Sequence, residues 1–275
     1  MKLCFNQATT MKHSNLEKDL QLCEKYGYEF IEMRIDKLKE YLKDHSANQL
    51  ADFFANNRIK PYAFNGLDQF SYRTPADFAK KKDDLKLVCE LSDLLGCKML
   101  TLDPGPNTSH LTCEQIQKDN IAVINELLAI AAPYNMKFAL EFCGSPSCSI
   151  NTYGQAYNIV EAMNNDNVGI ILDFFHFWAM GSQLHDLERS DANKIFLVHI
   201  DDAEGYPTGT ATDADRVWPG DGVIYIDKIM QALLKMGYDG VFSLELFRPE
   251  YWEMDVEQCI KLGKEKSDAL LRKYY

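Results

Sequence analysis

Residues 99–142, MLTLDPGPNTSHLTCEQIQKDNIAVINELLAIAAPYNMKFALEF, read as a strand, a helix and a second strand. Met99–Leu102 and Lys137–Phe142 are short and apolar. In IQKDNIAVINELLAIAAPYN (116–135) the isoleucines, leucines and alanines recur at i, i+3 and i+4, the spacing of one helical face. Thr112 stands just ahead of that helix, where a hydroxyl can accept from an orphan N–H. Strand, crossover helix and strand make the unit of a parallel sheet.

The unit repeats in both directions. Further candidate strands are Lys2–Asn6, Tyr28–Met33, Lys60–Phe64, Val168–Asp173, Ile195–Ile200 and Gly240–Leu246. LEKDLQLCEKYG (16–27) and DFAKKKDDLKLVCELSDLLG (77–96) carry the same helical spacing, with Gly27 and Gly96 just past their ends and Ser14 placed as an N-cap. Eight strands alternating with helices predict an α/β protein, a single (β/α)8 TIM barrel occupying residues 1–275 as one domain, close to the ~250 residues typical of that fold. No GxGxxG or GxxxxGK[ST] follows the first strand, so an open nucleotide-binding sheet lacks its phosphate loop.

Charge narrows the partners. The chain has 29 Lys plus Arg against 41 Asp plus Glu, a net charge of −12, which repels a phosphate backbone and argues against a nucleic-acid partner. The N-terminal MKLCFNQATTMKHSNLEKDL has no apolar signal core, and the longest largely apolar stretch, Val168 to Met180, is broken by Asp173 and His176. The expectation is a cytoplasmic protein with no membrane contact; oligomeric state is not readable from the residues. Eight cysteines lie scattered with no CxxC pair, so they read as reduced small hydrophobes, Cys143 and Cys148 of FCGSPSC included.

Barrels of this kind place their chemistry at the C-terminal ends of the strands. Here the last four strands end on metal-competent groups: Glu141 in KFALEF, Asp173 in VGIILDFFH, His199 in IFLVHIDD and Glu245 in VFSLELF. Singly, each reads as a cap, an ion-pair partner or a core histidine. Together, four ionisable groups converging on one barrel end need a compensating cation. Three carboxylates and an imidazole suit one divalent ion, zinc or manganese first, with magnesium, iron or cobalt also compatible. His176, three residues past Asp173, and Arg216, in the long loop after the seventh strand, are placed to reach the same space. A surface ion pair of Arg216 with Asp213 or Asp215, and a helix-entry role for His176, are the plainer alternatives.

The segments LEF (140–142), LDFFHFWAMGS (172–182), VHIDDAEGYPTG (198–209), DADRVWPGDG (213–222) and SLELFRPEYW (243–252), with KLCFNQATT (2–10), together resemble the inosose isomerase (2-keto-myo-inositol isomerase) branch of the xylose-isomerase-like barrel superfamily. The resemblance spans nearly the whole chain and is strongest from Glu141 to Trp252. It implies a divalent metal on Glu141, Asp173, His199 and Glu245, substrate contacts by His176 and Arg216, and a place in inositol catabolism. Two stretches depart from the family pattern, FNGLDQFSYR (64–73) and LDPGPNTSH (102–110). Both belong to the face where such barrels vary their specificity.

The implied reaction moves a ketone to the neighbouring carbon of a small polyol through an enediolate. Glu141 and Glu245 are expected to transfer the proton, His176 to stabilise a substrate oxygen and Arg216 to hold hydroxyls or the oxyanion. Asn6, Glu32 and Asp103, at the ends of strands one, two and four, are further candidates for hydroxyl recognition. A ketose 3-epimerase on the same scaffold is the alternative. A zinc nuclease of the apurinic-site type would need more strand-end histidines and a basic groove, and a non-catalytic sugar-binding barrel would work without metal.

Overall fold

A computed structural model describes residues 2–107 and 110–275. Eight strands close into a parallel barrel: β1 (Lys2–Asn6), β2 (Phe30–Arg34), β3 (Lys60–Leu67), β4 (Met99–Leu102), β5 (Lys137–Leu140), β6 (Val168–Asp173), β7 (Ile195–Ile200) and β10 (Val241–Leu244). Around the ring they run β1-β10-β7-β6-β5-β4-β3-β2. Between β7 and β10 the chain forms a small antiparallel ribbon, β8 (Asp202–Ala203) with β9 (Arg216–Val217), which sequence periodicity did not reveal because two residues are too few to alternate.

The strands are largely sealed on both faces. Every residue of β6 and of β10 is buried, as expected where helices cover a parallel sheet from outside and side chains fill it from within. The inner filling is a separate small cluster of Cys4, Ala139, Ile171, Leu197 and Val241, five residues from five strands. Successive side chains on a strand alternate faces, so two residues onward Asn6, Glu141, Asp173 and His199 also face inward, one layer nearer the C-terminal rim. Glu245, four on from Val241, joins them. Register sets their height: Asp173 lies opposite His199 across β6 and β7, and Asn6 opposite Glu32 across β1 and β2.

Local chemistry fixes the helix ends. Gly27 (φ 76°) and Gly96 (φ 68°) take the left-handed conformation beyond their helices, and Thr112 forms a capping box with Gln115. Ser14 is not the cap the sequence suggested. Asn15 accepts from the Lys18 N–H, while the Ser14 hydroxyl donates to Asp19 at 2.5 Å within a buried network that includes Gln7, Thr10 and Lys37. None of the helices among the described residues is long and apolar enough to cross a membrane.

Candidate metal centre

Glu141, Asp173, His199 and Glu245 each offer a ligand atom, and the four atoms lie within 4.8 Å of one another, all on buried residues. His199 stands at the middle. Its Nδ1 is 3.0 Å from Glu141 Oε1, 3.1 Å from Glu245 Oε2 and 3.6 Å from Asp173 Oδ2. Its Nε2 faces the other way, 3.2 Å from Glu32 Oε1. Burial disfavours the imidazolium, but Glu245, Glu32 and Glu141 outweigh it and hold the His199 pKa well above its ordinary value. The same field favours any cation at this point, and the hard oxygen and borderline nitrogen donors fit a divalent metal.

The carboxylates are individually secured. Asn6 donates from Nδ2 to Glu245 Oε1 at 2.7 Å, and its Oδ1 accepts from the Ala8 N–H at 2.9 Å. Asp173 accepts from the His176 N–H at 2.6 Å and from Arg216 Nη1 at 2.6 Å. Burial opposes its charge, yet Arg216 outweighs it, aided by His199, and keeps its carboxyl well below the usual range. Glu141 moves the opposite way, raised by burial despite the neighbouring imidazole.

Two expectations about hydroxyl recognition change here. Asn6 and Glu32 are both 0% exposed, and their polar atoms are spent inside the protein, Asn6 on Glu245 and Glu32 on His199 and the Ser243 hydroxyl. They sit behind Glu245 and His199 and orient them. Asp103, the third candidate, does line the cavity.

Arg216 changes more. It is neither a surface ion pair nor placed to grip a substrate, because all five of its N–H donors are taken. Nε and one Nη2 proton go to Asp213 Oδ1 at 3.1 and 3.0 Å, the other Nη2 proton to His176 Nε2 at 3.0 Å, and Nη1 to Asp173 and Asp201. The guanidinium also stacks over the Phe175 ring at 4.8 Å. Asp201, wholly buried beside it, escaped the sequence reading although the first Asp of HIDD was in plain view. Because a guanidinium only donates, His176 Nε2 must accept, which assigns the proton of a neutral ring to Nδ1. That Nδ1 is buried, has no partner among the described residues, and belongs to a side chain on the cavity wall.

The cavity itself has an outer part of about 440 Å³ and a deeper part of about 210 Å³ that share Asp68, Asp103, Cys143, His176 and Asp213. Glu141 and Glu245 line the deeper part, together with Arg34, Asn65 and Phe247. Burial first, and the neighbouring Asp68 next, push the Asp103 carboxyl well above the usual range. Cys143 and Cys148 stand on the wall as free thiols rather than in the core, and the hydrogen bond from Cys143 brings Cys148 down to about 7.

Relatives match along the full length. The family described as "Xylose isomerase-like TIM barrel" matches residues 20–266. The inosose isomerase of Bacillus velezensis is 47% identical over 276 residues, covering 100% of this chain and 99% of the relative. That of Halalkalibacterium halodurans is 46% identical, covering 100% and 98%. Among solved structures, the IolI protein with a bound zinc atom superposes with a TM-score of 0.96 at 47% identity, covering 100% of this chain and 99% of that one.

Proposed function

The chain belongs to the xylose isomerase-like TIM barrel family and groups there with the inosose isomerases, and on that premise we propose that it shifts the carbonyl of an inosose to the adjacent carbon by proton transfer. Glu141, Asp173, His199 and Glu245 hold one divalent cation, zinc or manganese. The observation that carries this reading is the four-donor cluster opening onto a cavity through two of its own carboxylates. A zinc atom in the 47%-identical IolI structure supports the choice of metal.

The cation supplies Lewis-acid stabilisation of the negative charge that develops on the substrate oxygens, worth several kcal/mol. The residues do the rest. One of Glu141 and Glu245 removes the proton from the hydroxyl-bearing carbon beside the ketone, leaving an enediolate. The proton is then delivered to the former carbonyl carbon, and the hydroxyl proton passes between the two oxygens, so nothing is gained or lost overall. His176 donates from Nδ1 to a substrate oxygen as charge builds there. Arg216 acts indirectly, fixing His176 in the donating tautomer and holding Asp173 ionised. The whole of residues 1–275 works as one domain.

The test is metal analysis of the purified protein followed by turnover of inososes in D2O. Deuterium should enter at the carbon beside the carbonyl, and chelation should stop the exchange. Complete retention of the original hydrogen would point instead to a hydride shift. Inversion of one centre with the carbonyl unmoved would identify a ketose 3-epimerase instead.

A further inference from the structure

The metal ligands occupy the rim half formed by β5, β6, β7 and β10, and the opposite half, at the ends of β2, β3 and β4, carries polar groups that this chemistry does not use. Asn65, at the β3 end of the deeper cavity, is 4% exposed, and its side-chain amide has no hydrogen-bond partner among the described residues. Such a group can pair only with what enters the cavity, water or ligand, and a ligand that displaces the water must replace its hydrogen bonds. Asp103 Oδ1 is buried and equally without a partner. Arg34 and Asp68 complete the same wall.

This wall is built rather than incidental. The loop after β3 and the loop after β4 are zipped by backbone bonds: Asp103 N–H donates to the Leu67 carbonyl at 3.3 Å, and Phe70 N–H to the Asp103 carbonyl at 2.9 Å. Gly105 N–H donates to the Ser71 hydroxyl at 3.2 Å, and a Cβ at Gly105 would fall 1.8 Å from the Ser71 carbonyl oxygen. Only glycine permits that approach, and the approach is what brings Asp68 beside Asp103. The two loops lie within residues 64–73 and 102–110; Thr108 and Ser109 of the second lie outside the described residues.

We propose that Asn65, Asp68 and Asp103, with Arg34 at their edge, form a hydroxyl-reading subsite for a polyol, and that this subsite sets which polyol ketone is presented to Glu141 and Glu245. Each hydroxyl both donates and accepts. A carboxamide matches both functions, an ionised carboxylate accepts, a protonated carboxyl also donates and the guanidinium donates, so the wall distinguishes the orientation of hydroxyls remote from the reacting carbons. The proposal rests on the isomerase reading for its substrate class.

The experiment compares the metal-loaded protein with its Asn65→Ala, Asp103→Asn and rim-exposed Asp68→Asn variants. Turnover is measured on a panel of inososes, their deoxy analogues and ketohexoses, and binding of the non-reacting polyols myo-inositol and mannitol by calorimetry. Asn65→Ala should raise KM about tenfold or more, the scale of one unmet buried polar group, with kcat changed less. The rank order of the panel should change, the loss should vanish for the deoxy analogue lacking the hydroxyl that is read, and metal content should stay at the wild-type level. Unchanged KM and rank order in all three variants would overturn the subsite while leaving the isomerase reading intact. Loss of metal along with activity would also overturn it, since the residues would then be supporting the ligands. A wild-type protein that binds polyols but converts none, with binding weakened in the variants, would support the subsite and remove the isomerase reading. A wild-type protein that neither binds nor converts any member would remove both.

Discussion

The two halves of the barrel rim are built on different principles. On the β5 to β10 side the four clustered donors are each answered: His199 by three carboxylates in front, Glu141 among them, and Glu32 behind, Glu245 by Asn6, and Asp173 by Arg216, which is itself locked by Asp201 and Asp213. Only His176 Nδ1 and one oxygen of Asp201 lack a partner there among the described residues. On the β2 to β4 side Asn65 and one oxygen of Asp103 stand unanswered. A half whose charges are paired with one another suits a fixed cation and charge-developing chemistry, for which preorganisation is the main requirement. An uncompensated half suits a ligand that comes and goes.

Three experiments would break or sharpen this contrast. The largest effect is expected from Glu245→Gln, whose amide oxygen can still coordinate but cannot take a proton. With metal retained by elemental analysis, kcat should fall by about 10²–10⁴-fold, the usual worth of a general base; undiminished turnover in a metal-loaded variant would remove Glu245 from proton transfer. Next comes Glu32→Gln, which weakens the carboxylate that orients His199 Nε2. Chelator competition should register a loss of about 10–100-fold in metal affinity, and an unchanged dissociation constant would mean that Glu32 merely fills space.

The smallest effect is the pH dependence of metal binding. His199 is raised well above its ordinary value in the protein alone, by carboxylates that overcome burial. Its protonated ring has no lone pair for a metal, so binding releases a proton. Affinity should therefore rise with pH, by about tenfold per unit while pH lies below that raised pKa, and level off above it. Competition measured at several pH values across neutrality checks the sign; a flat profile would mean that His199 is already neutral there or is not a ligand.

How much of this was open to the sequence differs between the halves. Glu141, Asp173, His199 and Glu245 could be picked out because each ends an apolar strand, and strand periodicity then carries it to the inner face. The eight barrel strands were likewise legible, their limits shifting by a residue or more only in β2, β3, β5 and β10. Arg216 was placed in the right neighbourhood, but the acidic partners that hold it there were not legible. A polar loop of that length reads as solvent-facing, and nothing local announces that β8 and β9 fold it back so that its guanidinium is buried between Asp173 and Asp201.

Glu32 and Asn6 were assigned to the substrate because strand-end polar groups look alike in one dimension. Whether such a group faces the cavity or the back of a ligand depends on the height of its strand in the closed ring. By itself, then, the sequence determined the barrel and the set of donors on its rim, since both follow from alternation within single strands. Tertiary structure alone decided which polar groups were spent and which left free, because pairs such as Asn6 with Glu245, 239 residues apart, and Asp68 beside Asp103, exist only once the ring closes and its loops dock.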